Sequence, residues 1–320
     1  MKRHIPLMVF MAVTAALPWL FPDNYYLTVV GVLAALRAVV AVGLNLLMGV
    51  AGQISLGHAA FFGLGAYASG ILTTRFAWQP WMGLLGGMVL AGVLAFAVAR
   101  PVLRLRGHAL AMATLGLGII FHIFLVQSEA WSGGPDGLSG IPPLTLGGLA
   151  IVSDTQWYWV ALSALWLTLW MAGNLMDSRS GRALCALHGS EVAASMMGVD
   201  VAAAKTRIFV FSAVLAAVAG SLFAHQQSFI SPGTFSFVRS VELVVMVVLG
   251  GLGSLYGAVF GAVVLTLLPE LLVVFEEYEM MVLGGVMMGI MIFMPRGLWV
   301  GLVAGLRRLG RRAFSTAGGR

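Results

Sequence analysis

VELVVMVVLGGLGSLYGAVFGAVVLTLL, residues 241–268, is one long apolar run with Gly250, Gly251, Gly253, Gly257 and Gly261 packed into its middle. A helix crossing a bilayer takes about 20 residues, so the run is long for a single passage. Its glycines interrupt a helix through their backbone freedom and let neighbouring helices approach closely. Whether this stretch crosses once or turns back sets the direction of everything after it.

The charges around it answer the question. Basic residues gather at Lys2 and Arg3, at Arg100, Arg104 and Arg106, at Arg179, Arg182, Lys205 and Arg207, and from Arg296 to Arg312. Acidic residues gather in the alternate breaks: Asp23, then Glu129, Asp136 and Asp154, then Glu270, Glu276, Glu277 and Glu279. Basic segments stay on the cytoplasmic side. Between these marks lie apolar runs near 5–21, 26–48, 53–73, 81–99, 108–127, 157–175, 207–224, 241–268 and 281–295. Nine simple crossings would put the acidic 270–279 segment inside and the arginines after 295 outside, so the eighth run is read as two shorter passages, about 241–249 and 256–268. The expected fold is an all-α, polytopic transmembrane bundle of about ten spanning or half-spanning helices with both ends cytoplasmic. Whether the two halves of the eighth run cross fully or are re-entrant stays open at this point.

Bulk composition agrees. Of 320 residues 60% are hydrophobic and 9% charged, against roughly a quarter charged in a soluble domain. The net charge of +6 belongs to segments flanking apolar runs, which is a topology signal and not a nucleic-acid footprint. Cys185 is the single cysteine and the six histidines have no metal-ligand spacing, so neither disulfide nor metal chemistry is expected. The run from Ile5 to Leu20 behind Lys2, Arg3 and His4 has the outline of a signal peptide, but it ends in Trp19 and Pro22 without a small-x-small cleavage site. It is read as an uncleaved first helix.

Three polar or glycine-rich stretches inside or beside the membrane are candidates for function. GLNLLMG at 43–49 and GQISLGH at 52–58 place Asn45, Gln53, Ser55 and His58 at membrane depth, where polar groups either bond across helices or line a solute path. His58 is read as a satisfied core histidine ahead of a proton relay. The loop SGGPDGLSGIP at 132–142 is too rich in glycine and proline for a regular element; it is either a docking surface or a solvated connection. Gly250, Gly251, Gly253 and Gly257 are candidates for a helix break or gate.

A fourth stretch lies on the cytoplasmic side. SRSGRALCALHGSEVAASMMGVDVAAAKTR at 178–207 is amphipathic, rich in alanine and too polar to cross, which suits one or two surface helices offering a handle to a partner protein. Enzymatic motifs are missing: neither Lys2 nor Lys205 follows a glycine, so there is no phosphate-cradling P-loop, and no Gly-x-Ser-x-Gly or His-Glu-x-x-His occurs. No cofactor is expected in this chain. Arg37 is the only clearly mid-helix charge, with Glu242 and Glu270 at the edges of the eighth run, which is thin for an ion-coupled carrier.

GLNLLMGVAGQISLGHAAFFGLGAYASGIL at 43–72, the 132–142 loop, GRALCALHGSEVAASMMGVDVAAAK at 181–205 and VVLGGLGSLYGAVFGA at 247–262 resemble, in order, the permeases of branched-chain amino-acid ABC importers of the LivM type. The resemblance covers about 26–295. It implies a permease domain in a bacterial inner membrane, surrounded by lipid, with a coupling loop at 176–206; the chain is read as one such domain over 1–320, and the arginines after 295, with too few apolar residues to span again, make 297–320 a basic cytoplasmic tail on the inner surface. It also implies a second related permease, two cytoplasmic ATPase subunits and a periplasmic binding protein delivering leucine, isoleucine or valine. Glu191, Ala193, Ala194 and Gly198 resemble the Glu-Ala-Ala-x-x-x-Gly core of the importer coupling loop, with Val192 as one extra residue. Permeases for urea or short amides resemble the same motifs, so that reading stays beside the first, as does a self-sufficient secondary carrier.

Overall fold

The structure is a computed structural model that describes residues 5–20, 26–105, 107–146 and 148–272, and beyond these 284–285, 288–289, 292, 297–299 and 301. The run expected at 281–295, the carboxylates Glu276, Glu277 and Glu279 and the basic tail at 297–320 fall wholly or largely outside the described residues.

Among the described residues the helices are α1 (Ile5–Leu20), α2 (Gly31–Asn45), α3 (His58–Arg75), α4 (Pro80–Val102), α5 (His108–Gln127), α6 (Glu129–Ser132), α7 (Asp154–Asp177), α8 (Arg179–Gly189), α9 (Glu191–Met196), α10 (Val201–Gln227), α11 (Phe237–Gly250) and α12 (Leu255–Leu272). Wider π-type turns extend α2 over Tyr26–Val30 and Leu46–Val50. Four two-residue strands also lie among the described residues: β1 (Leu138–Ser139), β2 (Thr145–Leu146), β3 (Leu149–Ala150) and β4 (Phe229–Ile230).

The bundle is the all-α membrane architecture expected from the sequence. Among the described residues five segments, Thr28–Val50 and helices α4, α5, α7 and α10, are long and apolar enough to cross a membrane. The eighth run does split, into α11 and α12 around the turn at 251–254. Nine helices of the described residues match expected runs; the tenth falls outside them. Burial sorts the bundle into layers: 78% of the apolar stretch of α2 and 72% of that of α10 is buried, against 33% in α4 and α7 and 22% in α5. The first two form the axis. The other three turn apolar faces outward, as lipid-facing helices do.

Small residues make the tightest seam. A Cβ on Gly65 would stand 2.1 Å from the Ala217 carbonyl oxygen, and one on Gly220 would stand 1.8 Å from that of Phe62. Helices α3 and α10 therefore touch backbone to backbone. Hydrogen bonds climb the seam in step: His58 with Ser212 at 2.7 Å, the Ser221 hydroxyl to the Gly65 carbonyl at 2.9 Å, and Ser69 with His225 at 2.8 Å. Both numbers of each pair rise together, so the two helices run in the same direction.

Two strands tie one end of the bundle. Leu138 pairs with Ile230 and Ser139 with Phe229, joining the segment after α5 to the one after α10. The 132–142 stretch was expected to form no regular element, and this pairing corrects that. Gly133, Gly134, Gly137 and Gly140 all take positive φ, which glycine allows at no steric cost, and Gly137 lies so close to the Ile230 carbonyl that a Cβ would stand 2.3 Å from its oxygen. The glycines thus build the strand entry. Exposed Trp78, Trp81 and Trp131 lie at this same end, as befits a membrane interface.

Candidate functional site

At the opposite end lies the break between α2 and α3, which carries the four polar residues singled out in the sequence. Asn45 clasps the α11–α12 turn: its side-chain amide donates to the Ser254 carbonyl at 2.7 Å, and its oxygen accepts from the Gly253 amide at 2.8 Å. Gly49 makes that contact possible, since a Cβ there would stand 2.2 Å from Gly253 N. On the other side of the turn Gly297 abuts Gly251, where a Cβ would stand 2.4 Å from its Cα. The hairpin tip is wedged between two glycines and held by one amide.

Ser55 and His58 form a second knot. Ser55 Oγ lies 2.9 Å from His58 Nδ1, and His58 Nε2 lies 2.7 Å from Ser212 Oγ, so both ring nitrogens are engaged by hydroxyls. The Thr114 hydroxyl accepts from the Leu56 amide at 3.0 Å, and the Ser240 hydroxyl accepts from the Ala59 amide at 3.2 Å. The first turn of α3 is thereby tied to α5, α10 and α11. Gln53 differs from its neighbours. It is 3% exposed, and neither atom of its amide has a hydrogen-bond partner among the described residues.

The four glycines of the break divide by role. Gly251 and Gly253 have positive φ and make the turn. Gly250 and Gly257 bring α11 and α12 into backbone contact, a Cβ on Gly250 falling 2.0 Å from the Gly257 carbonyl oxygen.

Residues 178–200 hold α8 and α9, and serine caps explain where these two begin, as an aspartate cap does for α10. Ser178 Oγ accepts from Gly181 N at 3.2 Å, Ser190 Oγ from Ala193 N at 3.2 Å, and Asp200 Oδ1 from Ala203 N at 3.0 Å, each satisfying an otherwise unpaired amide of a first helical turn. Gly198, with φ +82°, follows the end of α9. Glu191 is ion-paired with Lys205 of α10, a lysine 5% exposed, and Ala194 is buried beneath the helix. Ala193 and Gly198 face outward. So do Val192, Met196 and Met197, the last two 82% and 85% exposed. Those methionines were not among the residues expected to matter, although an exposed pair of flexible apolar side chains on a capped polar helix is a sequence-level sign of a contact surface. His188 of α8 reaches the break itself, its Nδ1 lying 3.3 Å from where a Cβ on Gly52 would be.

A second group went unranked in the sequence. Arg37, half-buried in the middle of α2, donates from Nη1 to the Thr266 hydroxyl of α12 at 3.3 Å. It borders a cavity of about 260 Å³ shared with Arg239, Gln227 and Thr234. A larger, mostly apolar cavity of about 420 Å³ lies where α7, α8 and α10 meet, with Arg179 and Arg207 on its border. An ionisable residue inside a spanning helix is a functional candidate by default, and that rule alone would have promoted Arg37.

Comparison with known proteins fits this architecture. The family described as the permease component of branched-chain amino-acid transport systems matches residues 26–291. The high-affinity branched-chain amino-acid transport system permease protein LivM of Salmonella typhimurium is 35% identical over 93% of this chain and 75% of its own length. LivM of Escherichia coli is 34% identical over 88% of this chain and 72% of its own. The permease protein LivH of the Salmonella typhimurium system is 24% identical over 83% of this chain and 92% of its own. No solved structure matches the chain. A match that takes in α2 through α12, the clasped hairpin and the α8–α9 segment alike places the chain in one family: it belongs to the permease components of branched-chain amino-acid transport systems.

Proposed function

We propose that this permease is one of two related membrane subunits of an ATP-driven importer for leucine, isoleucine and valine in a bacterial inner membrane, with both termini cytoplasmic. Two ATPase subunits dock beneath it and a periplasmic binding protein delivers the solute. The presence of two differently named permeases, LivM and LivH, under one transport-system name in Salmonella typhimurium supports a second permease here. The whole chain, 1–320, acts as one permease domain, with 176–206 as its coupling loop and 297–320 as a basic tail on the inner surface.

The observation that carries the docking assignment is the outer face of α9. Val192 and Met196 on this helix, and Met197 directly after its end, are exposed, while the inner side is pinned through Glu191 to Lys205 and through buried Ala194. A fixed platform with adaptable apolar anchors suits a groove on a partner. Glu191, Ala193, Ala194 and Gly198 shape that platform. A push on it passes to α10 through Lys205 and to the α2–α3 break through His188 against Gly52.

In the described conformation Asn45, Ser55 and His58 bond within the chain, while Gln53 keeps its amide without a partner among the described residues. Opening the break at Gly250, Gly251, Gly253 and Gly257 frees these polar groups along the solute path, so Asn45, Gln53, Ser55 and His58 line it in the open state. The chain supplies path and coupling; hydrolysis takes place in the partner subunits.

The test is reconstitution with both permeases, the ATPases and the binding protein in liposomes. Leucine uptake is expected to require ATP and every subunit; accumulation by this chain alone under an ion gradient would instead establish a secondary carrier. Met197→Asp is expected to weaken ATPase co-purification by about tenfold, the loss of one interface anchor, with the thermal stability of the chain itself unchanged. Undiminished recovery would move the docking site elsewhere.

A further inference from the structure

Arg37 has two features that a structural arginine lacks. It sits in mid-membrane, where an ionised side chain is costly, and among the described residues no carboxylate lies within ion-pair distance of it, Glu242 and Glu270 acting on its charge from farther off; its bond is the one to the neutral Thr266 hydroxyl at 3.3 Å. A guanidinium carries five donors in a flat fork, so most of that capacity is unspent.

The cavity beside it is chemically divided. Arg239 shares it, already paired with Glu242 at 2.5 Å. Both guanidinium groups border the space, whereas the two carboxylates that act on Arg37, Glu242 and Glu270, are not among the residues that line it. Gln227 and Thr234, from the segments flanking β4, add neutral oxygens at the end of the bundle that carries the acidic loops. The remaining wall is apolar, with Phe62, Phe223 and Leu243 on it, and Phe62 and Phe223 have their ring centroids 5.5 Å apart. A volume of about 260 Å³ lies just under the range of roughly 300–1,000 Å³ that holds drug-sized ligands. It suits one small molecule and not a peptide.

We propose that this cavity is a binding station for a single aliphatic α-amino acid in the outer half of the permease. The carboxylate meets the free fork of Arg37, which matches it in a bidentate geometry. The ammonium lies against the oxygens of Gln227 and Thr234, and the side chain lies on Phe62, Phe223 and Leu243. The site lies above the break that holds Asn45, Gln53, Ser55 and His58, so the solute passes it before the gate. Having one charged contact and no full cage, it binds weakly enough to release its cargo onward. This inference rests on the importer reading given above.

The test uses the complete transporter, all subunits present, in proteoliposomes with leucine-loaded binding protein. Arg37→Met is expected to lower ATP-dependent leucine uptake by about tenfold or more, the loss of one charge-assisted contact, with ATPase recovery unchanged. Thr266→Val, which removes the bond of Arg37 to α12 and leaves the guanidinium in place, is expected to stay within about twofold of the native rate. Native uptake in R37M overturns the proposal, and so does a fall in T266V as deep as that in R37M, because Arg37 would then be a structural pin. Absence of ATP-dependent leucine uptake by the native complex would instead refute the importer reading. Should R37M fail to assemble, Gln227→Cys in a Cys185→Ala background decides: an anionic methanethiosulfonate is expected to label it faster than a cationic one, and leucine to slow that labelling. Equal rates, or no protection by leucine, overturn the proposal.

Discussion

Asn45 shows how much one side chain at membrane depth can hold. Its amide satisfies two backbone groups of the α11–α12 turn at once, the Gly253 amide and the Ser254 carbonyl, which lipid could not satisfy. Asn45→Ala is expected to leave both groups unpaired and to cost about 1–3 kcal/mol for each that water does not reach. The loss would be read as a lower melting temperature in detergent, and a stability equal to the native one would show that the clasp is dispensable. The sequence exposed Asn45 as a polar residue in an apolar run but not its role, because its partners lie more than two hundred positions away. His58 is the same case. Its partner Ser55 is only three residues away but reads in the sequence as a separate polar candidate, and Ser212 came only with the packing of α3 on α10.

Helices follow two different rules in this chain. The membrane helices have few capping side chains, because their length and apolarity suffice: α5 occupies His108–Gln127, the run read from hydropathy. The short helices α8 and α9 lie outside the apolar runs and begin at Ser178 and Ser190, side chains that cap them. Their placement relies on the Glu191–Lys205 pair. Lys205→Met is expected to leave the Glu191 charge partly buried and to loosen α9 at a cost of about 1–2 kcal/mol, less than for a fully buried pair because the glutamate is partly solvated. Limited proteolysis within 190–200 should then quicken, and exchanging the two charges in a Glu191→Lys, Lys205→Glu double variant should slow it again. Cleavage unchanged in K205M would show that the caps and Ala194 alone fix the helix. The 132–142 segment was misjudged at this scale, since a two-residue strand cannot be told from a turn until β4 stands beside it.

For the whole molecule, topology and packing have separate origins. The β1–β4 pair and the α8–α9 platform lie at opposite ends of the bundle, so the two should be reached from opposite faces of the membrane. In a Cys185→Ala background, Asp136→Cys is expected to react with an impermeant maleimide applied to spheroplasts, and Met196→Cys with the same reagent only in inverted vesicles; labelling of both from one face would sink the arrangement. Much of this was legible beforehand. A bilayer demands long apolar runs with every backbone group bonded internally, so composition and hydropathy alone determined an all-helical membrane bundle. Charge parity and the glycines of 248–262 determined the divided eighth run. What the tertiary structure alone decided is which polar groups meet: Asn45 with the hairpin tip, His58 with Ser212, and Arg37 with Thr266, Arg239 and an unfilled cavity. Hydropathy is a property of single segments, whereas these contacts join side chains from helices far apart in the chain, and no local period records which faces will be pressed together.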